Sequence, residues 1–173
     1  MKNLIFILII LFSTSALYGQ RNIKGINSIN LNYGLSKYSI GTYGSVEYSR
    51  YIGQRFTLDA GLNFENGYIE DKASLTFNLP YINVGNSYNL FTLDNRHGLN
   101  IYYGGLLGIE YLTSQRNEIE KQTIVYGLKL GLSYGYLINK KIGVSLSFEE
   151  NYWHKSLIGN WNYVLKGGVK IYL

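Results

Sequence analysis

The chain has 173 residues, enough for one domain, with 20 glycines, 18 tyrosines, one proline and no cysteine. The absence of cysteine excludes disulfides, thiolate metal sites and a thiol nucleophile. The formal net charge of +5 comes from 16 basic and 11 acidic residues without the Lys/Arg runs typical of nucleic-acid binding, so no direct contact with nucleic acid is expected.

The N-terminus is typical of a secretory signal peptide. Lys2 is followed by nine consecutive apolar residues, 4–12, and then by small residues. Nine apolar residues are too few for a spanning helix, and no cysteine follows them for lipid attachment. Cleavage after Gly19, with Ala16 as the alternative site, leaves a single mature domain, residues 20–173.

The first three predicted elements of the mature chain alternate apolar and polar residues with a period of two. This period predicts β-strands, because successive strand residues point to opposite faces. The three apolar series are Ile29, Leu31, Tyr33 and Leu35; then Val46, Tyr48 and Ile52; then Phe56, Leu58, Ala60, Leu62 and Phe64.

The fourth element changes its phase part-way along. Its apolar residues change from odd to even positions around Pro80-Tyr81, which we interpret as a bulge inside one long strand. Two separate strands are the alternative. The apolar residues concerned are Leu75, Phe77 and Leu79, followed by Ile82, Val84, Tyr88 and Leu90.

The sixth element, residues 123–137, allows two interpretations. Gly127, Gly131 and Gly135 have the spacing of a helix-packing motif. However, every even-numbered residue of the segment is apolar, and on a helix these residues would surround the axis. The segment is also shorter than the roughly 20 residues of a spanning helix and longer than the roughly 9–11 of a spanning strand. A strand is therefore predicted, with Lys129 on the face opposite the apolar residues.

Three further elements bring the predicted total to eight strands, or to nine if Pro80 divides the fourth. Their apolar series are Leu99, Ile101, Tyr103, Leu107, Ile109 and Tyr111; then Ile142, Val144, Leu146 and Phe148; then Trp161, Tyr163, Leu165, Val169, Ile171 and Leu173. Short and long connections mostly alternate along the chain. These features predict an all-β fold, an eight-stranded antiparallel up-and-down transmembrane β-barrel with both termini on the periplasmic side.

Composition indicates which face of the strands points outward. The polar face is rich in Gly, Ser, Asn and Thr, which suit the narrow lumen of an eight-stranded barrel. A soluble barrel would place Lys and Glu on that face instead. Outward aromatic residues recur eight to ten positions apart, and ten residues rise about 25 Å along the barrel axis, as expected for two interfacial belts. The apolar face is thus predicted to contact a lipid bilayer.

Seven charged residues fall on the predicted lumen face. We expect them to form an ion-pair network that fills the barrel, because a buried charge needs a partner. A gated polar pathway is the alternative. The residues are Glu47, Asp59, Glu110, Lys129, Glu149, Lys166 and Lys170. Arg50, near a strand end, is expected to reach the lipid head groups.

No catalytic, cofactor-binding or metal-binding residue is predicted. His97 lies in a predicted turn, and His154 and Ser156 lie in the last long connection, where a His-x-Ser sequence is a weak sign of a hydrolase or acyltransferase. The sequence contains no H-E-x-x-H or P-loop pattern. An enzyme, a cofactor and a small-molecule substrate are not expected.

Residues 80–173 resemble the TraO proteins of conjugative transposons. The resemblance is carried by "HGLNIYYGGLLGIEYL", "IVYGLKLGLSYGYLINKKIGVSLSF" and "LIGNWNYVLKGGVKIYL", together with the signal peptide and "NLPYINVGNSY". It implies a component of a type IV secretion-like DNA-transfer apparatus in the outer membrane of a Gram-negative bacterium, with other conjugative-transfer proteins as partners. A general barrel for adhesion or envelope integrity is the first alternative, and a lipid-modifying enzyme is the second.

Overall fold

A computed structural model describes residues 24–37, 41–69, 72–94, 96–114 and 119–173, so the predicted signal peptide lies outside the described residues. The described part forms eight strands. They are β1 (Asn27–Ser36), β2 (Gly41–Tyr51), β3 (Phe56–Ile69), β4 (Lys72–Leu93), β5 (His97–Ser114), β6 (Ile119–Leu137), β7 (Ile142–His154) and β8 (Trp161–Tyr172). Within these residues, no helix combines the length and the hydropathy that a membrane crossing requires.

The eight strands close into one barrel in chain order. Each strand pairs antiparallel with the next, and β8 pairs with β1 from Ser28–Tyr172 to Ser36–Val164. Closure leaves no unpaired strand edge, so the backbone groups of every strand are paired on both sides. The predicted eight-stranded up-and-down topology is confirmed.

Strand β4 is a single strand, but its predicted bulge is in the wrong place. The register with β3 continues without a shift past Pro80, which lies opposite Phe64. The shift against β5 lies instead between Asn89 and Phe91. Beyond that shift Phe91 again lies on the exposed side of the barrel.

The orientation of β4 before Pro80 also differs from the prediction. Phe77 and Leu79 are predicted on the lipid face, yet their exposures are 0% and 1%. Tyr81 continues the same inward series at 5% exposure. The rule that every apolar residue faces outward fails here, because this part of the lumen must itself be filled with bulky side chains.

The outer wall of the barrel is apolar over most of its height. In β6 the exposures of Leu128, Leu130 and Leu132 are 67%, 54% and 47%, whereas that of Lys129 is 6%. Two residues of the outward series are charged, and they lie towards opposite ends of the wall. Arg50 is one position before the end of β2, and Glu150 is four positions before the end of β7. The predicted assignment of the faces is therefore confirmed for β6.

The two ends of the barrel differ in their connections. One end, which we call the turn end, carries both ends of the described chain and the short connections 52–55 and 138–141. Backbone bonds from Gly25 to Tyr51 and from Leu173 to Asn27 hold the chain ends there. The opposite end, the loop end, carries the connection 155–160 between β7 and β8. The short turns lie where the sequence predicts them.

Candidate functional site

Four charged side chains from four strands meet inside the barrel. Lys166 Nζ lies 2.8 Å from Glu149 Oε2 and 3.0 Å from Glu47 Oε1, and Lys129 Nζ lies 3.9 Å from the same Glu47 oxygen. The side chains of Lys166 and Glu149 are 3% and 1% exposed. A buried charge with no partner costs several kcal/mol, so each ion is retained here by an oppositely charged neighbour. The predicted internal ion-pair network is confirmed for these four residues.

Two inward-facing tyrosines complete this network. Tyr102 donates a hydrogen bond of 3.0 Å to Glu149, and Lys166 donates one of 3.1 Å to the hydroxyl oxygen of Tyr43. The Lys166 ammonium also lies 4.9 Å from the centre of the Tyr43 ring and 5.7 Å from that of Tyr102. Lys166 is thus stabilised in two ways, because its N–H groups donate hydrogen bonds and its charge interacts with two aromatic rings.

Glycine makes room for these tyrosines. Gly131 is opposed by Tyr102 on one side and by Glu149 on the other, so the ring crosses the glycine to reach the carboxylate. Gly34 is likewise flanked by Tyr43 and Lys166. A Cβ added to Gly34 would lie 2.8 Å from Cβ of Lys166. Small residues in the lumen thus allow larger charged and aromatic ones to cross it.

The three remaining charges predicted to face the lumen have other partners. Asp59 accepts a hydrogen bond from Ser87. Glu110 accepts bonds from the hydroxyl of Ser156 and the backbone N–H of Leu157, at 3.1 and 2.6 Å, and so fixes the connection 155–160. Lys170 donates to the hydroxyl of Tyr51 at 3.4 Å. The predicted network therefore divides into a central cluster and separate local contacts.

A further buried carboxylate, Glu65, is not among the predicted lumen charges. It is 0% exposed and accepts hydrogen bonds from Ser36 at 2.7 Å, Tyr81 at 2.8 Å and Asn162 at 2.6 Å. Three donors from three strands replace the water that this carboxylate loses on burial. The strand parity of β3, in which odd positions face inward, could have identified it.

A hydrophobic plug fills the lumen towards the loop end. Within the plug, the rings of Tyr81 and Trp153 pack edge to face with centroids 5.0 Å apart. Ile158 of the connection 155–160 packs against the plug. Packing of this kind excludes water from that part of the lumen. The plug consists of Tyr43, Phe77, Leu79, Tyr81, Leu106, Leu112, Val125, Trp153 and Val164.

A polar cavity of about 430 Å³, which we call the vestibule, occupies the lumen towards the turn end. It extends from the turn residues Arg96 and Lys140 to Glu47, Lys129 and Lys166 of the ion-pair network. The plug closes the lumen beyond that network. In the residues that the structure describes, the barrel therefore has a vestibule with one mouth and no passage from end to end.

The histidines and the serine that carry the weak sign of catalysis lie apart from the network. His154 is exposed, and its ring packs on Tyr126 of the outer wall with centroids 4.9 Å apart. Ser156 donates to Glu110 and accepts the backbone N–H groups of Ile158 and Gly159 at 3.2 Å. The Ser156 hydroxyl therefore stabilises the turn that follows it in the connection 155–160.

His97 lies at the start of β5, where its ring contacts Tyr134 and Tyr136. Within the described ranges, no group of three or more His, Asp or Glu side chains is arranged to hold a metal ion. The absence of enzymatic activity stays a prediction.

Comparison with known proteins supports the fold without assigning a family. No family model matches the sequence, and no curated protein matches it. A major outer membrane protein of Thermus thermophilus is similar in structure, with a TM-score of 0.68, 10% identity, and coverage of 87% of this chain and 100% of that one. The N-terminal β-barrel domain of Pseudomonas aeruginosa OprF gives a TM-score of 0.66 at 9% identity, covering 87% and 98%. Ail, the attachment invasion locus protein of Yersinia pestis, gives 0.60 at 13%, covering 87% and 100%.

The fold is that of small outer-membrane barrels. Its outer wall exposes large apolar side chains, which favours contact with hydrocarbon, while the charged groups of the ion-pair network lie inside the barrel. Closure of the sheet satisfies the backbone groups that a bilayer could not. The chain is an outer-membrane β-barrel.

Proposed function

We propose that this barrel serves as a structural and docking component of the outer membrane of a Gram-negative bacterium. The observation that carries this proposal is the closed lumen, in which the hydrophobic plug and the ion-pair network occupy the cross-section of the barrel. A barrel without a passage offers its partners its two ends and its outer wall. Because short connections in bacterial barrels lie on the periplasmic side, we infer that the turn end, and with it the vestibule mouth, faces the periplasm.

Within this role we propose conjugative DNA transfer. The support is the resemblance of residues 80–173 to TraO proteins, which is carried in part by this chain's "HGLNIYYGG" in β5 and "IVYGLKLGLSYGYL" in β6. Other transfer proteins would then bind the turn end or the outer wall. The chain would anchor them in the membrane without touching DNA itself.

The test is a clean deletion of the gene in a donor strain, with complementation in trans. We expect transfer frequency to fall to background while growth and detergent resistance are unchanged. Complementation by the full chain should restore transfer. Normal transfer from the deletion strain would reject the conjugative role.

Adhesion is the second candidate, because the connection 155–160 is held in a fixed shape. Glu110 binds Ser156 and Leu157, and Ile158 packs on the plug, so this connection presents a constant surface at the loop end. Fixed loops lose less entropy on binding than mobile ones. The same deletion strain decides between the two roles: reduced adherence with normal transfer favours adhesion.

A further inference from the structure

The vestibule carries more positive than negative charge. Five cationic side chains line it, against the carboxylates of Glu47 and Asp59. Glu149, which contacts Lys166, adds a third carboxylate and leaves a net excess of two positive charges. The five cations are Arg96, Lys129, Lys140, Lys166 and Lys170.

Lys170 is a cation that the barrel leaves only partly satisfied within the vestibule. Its ammonium lies 5.5 Å from the centre of the Tyr51 ring and 5.6 Å from that of Tyr172, and it donates one hydrogen bond, to Tyr51. An ammonium has three donors. Among the described residues, no carboxylate lies within 4 Å of it. The two rings therefore hold in place an ammonium group that still has unused hydrogen-bond donors.

A hydrogen-bond acceptor without a donor lies next to Lys170, in the neighbouring strand. Asn30 is opposed by Lys170 on one side and by Glu47 on the other, and it also lines the vestibule. Its side-chain oxygen is buried and has no hydrogen-bond donor in the described part of the chain. A buried acceptor without a donor costs about 1–3 kcal/mol, so a ligand that donates to it gains affinity.

We propose that the vestibule binds a small polycarboxylate that also carries a hydroxyl group. Its carboxylates pair with Lys170 and Lys129, and its hydroxyl donates to the side-chain oxygen of Asn30. Arg96 and Lys140 at the mouth attract the anion from the periplasm. A volume of about 430 Å³ lies in the range of small-molecule sites. This proposal does not depend on the conjugative role.

The test uses citrate and tricarballylate, which carry the same three carboxylates but differ in the hydroxyl. The full mature barrel in zwitterionic detergent is titrated with each anion while backbone amide NMR shifts are followed at about 10 mM salt, where the Debye length is about 30 Å. Citrate should shift the amides of Asn30, Gly143 and Lys170. Tricarballylate should bind several-fold more weakly.

Variants separate the site from general charge attraction. Lys170→Gln should weaken citrate binding at least about tenfold, because it removes a charge-assisted contact. Lys37→Gln removes an exposed cation at the loop end and should leave binding unchanged. Lys140→Gln, in an exposed turn where folding is not at risk, should weaken binding several-fold.

Three results would overturn the proposal. They are the absence of citrate-dependent shifts in the vestibule, equal losses in the Lys170 and Lys37 variants, and equal binding of the two anions. Either of the first two results would show that the vestibule has no specific anion site. The third would show that the hydroxyl group of the ligand does not bind Asn30. None of these results depends on whether transfer requires the gene, so the two proposals fail separately.

Discussion

Tyr102 lies directly across Gly131 in the register of β5 and β6, and its hydroxyl reaches over that glycine to Glu149 of β7. A Cβ added at Gly131 would lie 2.5 Å from the Tyr102 hydroxyl oxygen and 2.7 Å from the carbonyl oxygen of Phe148. The glycine therefore determines whether a tyrosine can bind the ion-pair network. Its spacing from Gly127 and Gly135 arises from the two-residue period of a strand and not from helix packing.

The first prediction concerns this glycine. Gly131→Ala should destabilise the folded barrel by about 1–3 kcal/mol, because Tyr102 must move away from Glu149. Gly105→Ala is the matched control, since nothing lies within 4 Å of a Cβ added there, and it should change stability by less than about 0.5 kcal/mol. Unfolding by urea in phospholipid bilayers measures both. Equal effects would show that Tyr102 does not depend on Gly131.

The second prediction concerns the two lysines of the network. Lys166→Met should cost about 3–5 kcal/mol, because Glu149 then remains buried with no cation within 4 Å of it. Lys129→Met should cost less, about 1–2 kcal/mol, since Glu47 keeps Lys166 at 3.0 Å.

A double variant provides the check on this ranking. Lys166→Met combined with Glu149→Gln should be more stable than Lys166→Met alone, because the unpaired charge is removed along with its partner. The same urea unfolding measures all the variants. A double variant no more stable than Lys166→Met alone would contradict the assignment of the cost to unpaired charge.

The third prediction concerns the lipid-facing wall. Leu132 is 47% exposed and lies five residues from the end of β6, about 13 Å along the barrel axis and so near the middle of the apolar band. Leu132→Arg should destabilise the barrel by about 2–4 kcal/mol in bilayers. Ile138→Arg replaces a similarly exposed residue in the turn 138–141 and should cost about 0–1 kcal/mol. Equal costs would place Leu132 away from hydrocarbon.

The fourth prediction uses the two tryptophans of the chain, which lie on opposite sides of the barrel wall. Trp153 is 0% exposed within the plug, whereas Trp161 is 58% exposed on the outer face. Lipids with brominated acyl chains should therefore quench the fluorescence of the Trp153→Phe variant, in which Trp161 remains. They should leave that of Trp161→Phe nearly unchanged. The reverse pattern would show that the barrel is turned inside out.

The alternation of apolar and polar residues is sufficient to predict the strands, their order and the lumen position of Lys129. Parity carries this information because it assigns each side chain of a regular strand to one of two faces. The same parity places Tyr43, Tyr102 and Trp153 inside, although all three are aromatic residues of a kind expected in the lipid belts. Their inward position could have been derived by counting, without reference to their hydropathy.

Prediction of the side-chain direction from hydropathy fails before Pro80. Hydropathy assigns Phe77 and Leu79 to the lipid face, and a bulge is then needed to reconcile them with Ile82. The strand in fact continues regularly, and these residues belong to the plug. Hydropathy cannot separate a side chain that faces lipid from one that faces a dry part of the lumen, because both environments are apolar.

The sequence by itself determined the closed eight-stranded barrel and the face on which most charges lie, because a two-residue period and the hydropathy of each face are local properties of the chain. Only the tertiary structure decided that Lys166 contacts both Glu149 and Glu47, that the plug closes one half of the lumen, and that Lys170 and Asn30 share a vestibule. Lys166 and Glu47, for example, lie 119 positions apart in the chain, and their meeting depends on the register around the closed barrel. No local pattern of residues specifies that register.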